Sequence, residues 1–296
     1  MAPAVSRRWA GLWPAAGRTL ALPRPVSAAG GVLLAFSCGT SVSAALQRVL
    51  LEPHPGTQRL VELNLGEMFG TAAVCSLILA ERRRRPALTR VDLAILILGA
   101  LTWCLPEAHA VYAGMTLVAV WLLAKRSADR LLAGIGQIWL ALAFCELWSK
   151  LAFKLLYHAI EPWEVAVIAG LGRWAYPTLH ATGVYLSSRP GWSIVMLEGC
   201  SAFHNLSLAA MIWLCVLKIA GRQVGPGALG ALAVSAGLVV AINIARILAM
   251  LPSSAAYQFW HNGTGSVFVA VASAAASVLP IVVQIERTPC PAPPCA

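Results

Sequence analysis

Long apolar stretches alternate with short polar or basic breaks along almost the whole chain. The first stretch runs from about Ala28 to Leu46, and a second from about Leu63 to Ala80, with the polar segment Glu52-Pro53-His54-Pro55-Gly56 between them. A helix needs about 20 apolar residues to cross a bilayer, so both are read as spans. Arg82-Arg83-Arg84-Arg85 follows directly. Four consecutive arginines resist translocation, which predicts a cytoplasmic loop there. Two shorter runs, Leu93 to Leu105 and Val111 to Ala124, are hinged at Pro106-Glu107-Ala108-His109 and read as a helical hairpin. Lys125, Arg126 and Arg130 mark the next cytoplasmic return, and a fifth span is predicted from about Leu131 to Tyr157.

The pattern breaks between Glu161 and Cys200, where Arg173, Pro177, His180, Arg189 and Pro190 interrupt all but a short run near Val165 to Leu171. Beyond it, Ala209 to Ile219, Leu229 to Leu251 and Val267 to Val283 are apolar again, flanked by Lys218, Arg222 and Arg287. If those cations face the cytoplasm, parity makes Glu161 to Cys200 begin and end outside. The segment is therefore expected to be re-entrant or interfacial, because irregular backbone at membrane depth is tolerated only against protein or a wet cavity. The architecture expected is an all-α polytopic transmembrane bundle of about eight spans with both termini inside. It divides into a basic cytoplasmic leader (1–27), N-terminal transmembrane helices (28–160), a catalytic transmembrane region (161–285) and a Pro/Cys tail (286–296).

Composition sharpens this picture. Of 296 residues, 59% are hydrophobic and 11% charged, against about a quarter charged in an ordinary soluble domain. That excludes a soluble enzyme, a disordered chain and a DNA-binding domain. The net charge of +10 is gathered in clusters beside apolar runs, as expected of anchors facing anionic lipid rather than nucleic acid. Cys38, Cys75, Cys104, Cys145 and Cys215 lie inside apolar runs, and Cys290 and Cys295 in a Pro-rich tail, a scatter that does not read as a disulfide framework. Arg7, Arg8, Arg18 and Arg24 precede any continuous apolar core, so the leader is not read as a cleaved signal.

Candidate chemistry concentrates in the last third. Glu198-Gly199-Cys200-Ser201-Ala202 opens a span on the outward side, where a helix N-terminus favours a thiolate. A cysteine packed there by chance is the competing interpretation. Asn243 and Arg246 share one face in the last turns of the span ending at Pro252. An arginine costs about 2–3 kcal/mol at the bilayer centre, so it faces the bundle or a wet cavity unless it snorkels to the headgroups. His261 follows Trp260 in the outward loop before the last span. A nucleophile, a fixed cation and a general base are thereby predicted at one membrane face, the partners a thiol needs for ionisation.

The run Glu198-Gly199-Cys200-Ser201-Ala202, then Asn243-x-x-Arg246, then His261 followed by Gly265 and Phe268, resembles the exosortase/archaeosortase family. The resemblance covers roughly Gly191 to the end of the last span. Gly199 and Ala202 stand where that family usually has Ala and Gly in a Glu-Ala-Cys-Ser-Gly run. It implies a membrane cysteine transpeptidase or protease without a cofactor or metal. Its substrates would be secreted proteins bearing a C-terminal Pro-Glu-Pro type sorting signal, and exopolysaccharide export is an associated context. Cys200 would attack the scissile carbonyl, Arg246 hold the oxyanion and His261 protonate the leaving amine. The implied location is the bacterial inner membrane, in contact with lipid, with the site facing the periplasm.

Other polar groups leave choices open. Glu146, Lys150 and Lys154 fall on one helical face, which suits a Glu–Lys pair. Alternatively, Lys150, Lys154 or Arg173 could receive an acidic residue of a sorting signal. Glu198 is either a boundary charge or a support for His261. His204, four residues from Cys200, has no companion ligands and does not predict a metal site. A transporter or flippase of lipid-linked saccharides is a rival reading, against which stands the lack of an internal repeat. A glycosyltransferase is another; it would draw on outward carboxylates such as Glu107, Glu161, Glu164 and Glu198.

Overall fold

The computed structural model describes residues 26–51, 64–80, 86–107, 109–125, 129–196 and 200–287. The leader, the Arg82–Arg85 run, Arg126, Glu198 and the Pro/Cys tail lie outside them. The chain is mainly helical. Its elements are α1 (Ala28–Leu51), α2 (Leu65–Ala80), α3 (Arg90–Leu101), α4 (Ala110–Ala124), α5 (Arg130–Ala143), α6 (Ser149–Gly172), β1 (His180–Thr182), β2 (Tyr185–Arg189), β3 (Trp192–Val195), α7 (Phe203–Ile219), α8 (Pro226–Met250), α9 (Ser254–His261) and α10 (Thr264–Arg287). Four helical stretches are long and apolar enough to cross a membrane: Ala28–Leu50, Arg130–Gly172, Pro226–Met250 and Thr264–Arg287. Shorter apolar helices cover Gly66–Ala80, Ala110–Ala124 and Asn205–Ile219.

The expected hairpin is present as α3 and α4. Thr89 caps α3 in a reciprocal pair with Asp92, satisfying donors that a helix start leaves unpaired. The same Asp92 carboxylate accepts from Trp121 Nε1 at 2.9 Å and from Lys125 at the far end of α4, so the two helices are pinned antiparallel. At the other end, a Cβ on Gly114 would stand 2.5 Å from the Gly99 carbonyl. Only small residues allow backbones to approach so closely in a membrane bundle. The N-terminal core gathers around Trp139, Met115, Ile135 and Ile138, with the Phe36 ring 5.0 Å from that of Trp139.

Where the fifth span was predicted to end at Tyr157, the helix continues. A π-helical turn, Phe144–Trp148, joins α5 to α6 without a break, giving 43 residues from Arg130 to Gly172 and a length of about 65 Å, twice a hydrocarbon core. Pro162 lies inside the helix, where proline removes one helical hydrogen bond. The helical period nevertheless survives it: Val165, Ile168, Ala169 and Gly172 are all buried, the first three packing with Leu179 and Leu186.

The second departure from an all-α chain lies in the same predicted irregular segment. Residues 180–195 form a three-stranded antiparallel sheet in the order β1-β2-β3, pairing Ala181 with Leu186 and Leu186 with Ile194. Gly183 (φ 58°) and Gly191 (φ 78°) occupy the left-handed region at its two turns, where a Cβ is disfavoured. Leu186 and Ile194 bury one face. The sheet is tied to the bundle by Ser188 Oγ donating to the Leu251 carbonyl at 3.0 Å and Tyr157 OH donating to the Met196 carbonyl at 3.1 Å.

Candidate active site

Three segments meet at the end of the bundle where the sheet sits. Cys200 is buried at 9% exposure, in a cluster with Met196, Ile194, Ile247 and Met250, against which Trp260 and Tyr257 pack. Asn243 Nδ2, itself buried, donates to the Cys200 carbonyl at 2.9 Å. The expected link between α8 and the cysteine segment is therefore made through backbone, and Asn243 serves it rather than the Arg246 guanidinium. Arg246, half-buried one turn further on, donates from Nε to the Trp260 carbonyl at 3.3 Å. That bond uses one of five donors. Among the described residues no carboxylate pairs with Arg246, and no hydrogen bond joins the Cys200 thiol to Arg246 or His261.

The thiol precedes the first turn of α7, which begins at Phe203 with Ala202 as its cap. Two donors at that helix start are engaged: Ala202 N–H donates to Glu164 Oε1 at 2.9 Å, and Phe203 N–H to Ser201 Oγ at 3.2 Å. Glu198, the expected supporting carboxylate, lies outside the described residues.

His261 closes α9. Its ring stacks on Tyr257, centroids 4.8 Å apart and 15° from parallel, and its Nδ1 stands 2.8 Å from Asn262 Oδ1. The turn into α10 is tight. A Cβ on Gly265 would fall 2.8 Å from the rings of both Phe259 and Trp260, and one on Gly263 would fall 2.9 Å from the Phe259 carbonyl. Glycine at 265 therefore has a local reason: it lets the aromatic pair fold over the start of α10.

The outer cations divide. Lys150 pairs with Glu146 at 2.9 Å, the structural alternative for that face. Lys154 is exposed. Arg173, also exposed, donates from Nε to the Leu179 carbonyl at 3.4 Å. Of the carboxylates a glycosyltransferase would use, the three among the described residues are hydrogen-bonded. Glu107 is bonded to the His109 ring at 2.7 Å, and that bond holds its carboxyl below the usual range. Buried Glu161 accepts from Tyr157 OH at 2.9 Å, and Glu164 caps α7. Among the described residues no three His, Cys, Asp or Glu side chains are grouped to hold a metal.

Beside Cys200 an apolar cleft of about 580 Å³ opens between α6, α7 and α8, lined by Ile160, Trp163, Glu164, Ser201, Ala202 and Ile244 among others. Two residues of the cysteine segment, Ser201 and Ala202, thus border it. Hydropathy does not reveal such a cleft, because its walls come from three separated helices. Comparisons with protein-family models, curated proteins and solved structures found no match.

Proposed function

We propose that the chain is a membrane-embedded cysteine transpeptidase or protease, exosortase-like in its chemistry. It would act on secreted proteins at a C-terminal sorting signal, on the extracytoplasmic side of a bacterial inner membrane. The topology behind that orientation is eight crossings, with α5 and α6 counted as one and α9 lying outside the bilayer. The observation that carries the reading is the junction of three sequence-distant segments, Cys200 to Asn243 and Arg246 to Trp260, beside His261.

In this reading the Cys200 thiol passes its proton to His261 and its sulfur attacks the scissile carbonyl carbon. The guanidinium nitrogens of Arg246 not engaged by Trp260 donate to the oxyanion, a contribution of about 3–4 kcal/mol in comparable sites. His261 delivers a proton to the departing amine as the C–N bond breaks, leaving a thioester. Water or an acceptor amine then attacks the thioester, its proton passes to His261, and the thiol is restored. Arg173 at the C-terminal end of α6, or Lys154 in its second turn, would receive an acidic substrate residue.

The test is processing of a secreted reporter carrying the sorting signal. Cys200→Ala is expected to abolish cleavage while Cys215→Ala retains it. Cleavage that survives Cys200→Ala overturns the cysteine mechanism and returns the question to a transporter or flippase. Charge reversal at Lys154 that leaves processing unchanged removes that residue from substrate recognition.

A further inference from the structure

We infer that Asn262 is a positioning residue for His261, holding the imidazole in the tautomer that carries its proton on Nδ1 and leaves Nε2 as the proton acceptor. The inference rests on the proposed acid–base role of His261. A neutral imidazole has one donor and one acceptor nitrogen, and the partner of one nitrogen decides which is which. Here Nδ1 lies 2.8 Å from Asn262 Oδ1. With the amide oxygen toward the ring, Nδ1 is the nitrogen that donates, while Asn262 Nδ2 lies 3.4 Å from Gln258 Oε1. Tyr257, one turn earlier on α9, stacks on the ring and holds its plane. Tyr257 is in turn braced by Trp192 of β3, whose ring stands edge-on at 6.2 Å. The small sheet thereby reaches the imidazole through one intermediate ring.

The residue that would hold the histidine is thus its own neighbour, with no carboxylate required. A neutral amide orients the ring without adding a negative charge beside an oxyanion. This arrangement also gives β3 a purpose beyond capping the bundle.

The test uses the full chain in detergent micelles, labelled with 15N in its histidine rings, the His261 signals being assigned by their loss in His261→Gln. At a pH where the ring is neutral, the native protein is expected to show Nδ1 protonated and Nε2 bare. Asn262→Leu should shift His261 toward the Nε2-protonated form, and Asn262→Asp, which keeps an acceptor oxygen, should restore the native form. An Nε2-protonated ring in the native chain, or one unmoved by Asn262→Leu, overturns the inference. A second measurement addresses the reading beneath it: the rate at which a small methanethiosulfonate modifies Cys200, the other cysteines having been replaced. Asn262→Leu is expected to slow it about tenfold, the scale at which orienting partners usually act, with Asn262→Asp recovering most of the rate. If His261→Gln leaves that rate unchanged while the tautomer behaves as expected, the cysteine-enzyme reading fails and the orientation of His261 stands without a catalytic purpose.

Discussion

Two polar clusters in this bundle are built on opposite plans. In the N-terminal half, Arg48 lies against both oxygens of Glu67 at 2.9 and 2.8 Å, and Tyr112 donates to the same carboxylate. Asp92 is likewise surrounded by Thr89, Trp121 and Lys125. In the C-terminal half, Arg246 holds one backbone carbonyl, His261 holds its neighbour's amide, and the Cys200 thiol packs among apolar side chains. Charges fully matched by fixed counter-charges have no capacity left for a ligand, and removing one partner strands the other in a low dielectric. Side chains held at one edge only keep donors for something that arrives. Pairing of the first kind belongs to stability, and the second kind is what the proposed chemistry would need.

The sharpest break in this comparison is Cys200→Ala, expected to lower reporter processing by about 10⁴-fold or more, as loss of a nucleophile does elsewhere, with the melting temperature nearly unchanged. Glu67→Ala should do the reverse. It leaves half-buried Arg48 without its carboxylate at a cost of about 1–3 kcal/mol, read as a drop in thermal stability in detergent. Arg246→Lys retains charge but loses the planar fork. Processing should fall about 100-fold, the scale of one missing oxyanion donor, measured as initial cleavage rate at matched expression. Gly39→Ala sharpens the N-terminal side: its Cβ would meet the Trp103 ring at 2.3 Å, so about 1–3 kcal/mol of stability should be lost. The smallest effect belongs to Ser188→Ala, which removes the sheet's bond to the Leu251 carbonyl. About 1 kcal/mol is expected, visible as faster hydrogen exchange in β2.

The sequence was legible where hydrophobic periodicity is long and uninterrupted. The start of α1, both ends of α4 and the end of α8 follow from it to within a residue, as does the α3–α4 hairpin. Hydropathy failed between Glu161 and Cys200 because Arg173, Pro177 and His180 were weighed above the buried face that Val165, Ile168 and Ala169 maintain. The sheet was missed although Pro190-Gly191 is a turn signal, proline presetting φ and glycine supplying the positive φ that follows. That signal was hidden by reading Arg189 and Pro190 only as interruptions of a span. Cys200, Arg246 and His261 were singled out by residue type and order, and the structure brings their segments to one end of the bundle. The engagement of Asn243 with the Cys200 backbone and the capping of α7 by Glu164 depend on contacts between segments far apart in the chain. No local pattern encodes those.

The unbroken passage from α5 through the π turn into α6 makes that helix a ruler with a fixed phase. About 27 Å of it separates Glu146, which faces the N-terminal cluster, from Glu164, which caps the cysteine segment. Each residue of helix contributes both about 1.5 Å of height and about 100° of rotation. Neither can be adjusted alone. The height of the cysteine above the N-terminal cluster and the direction from which Glu164 approaches it are therefore one quantity, set by the count of residues between two glutamates. Evolution can change the side chains along this ruler readily, but it can change its length only in steps near a whole turn.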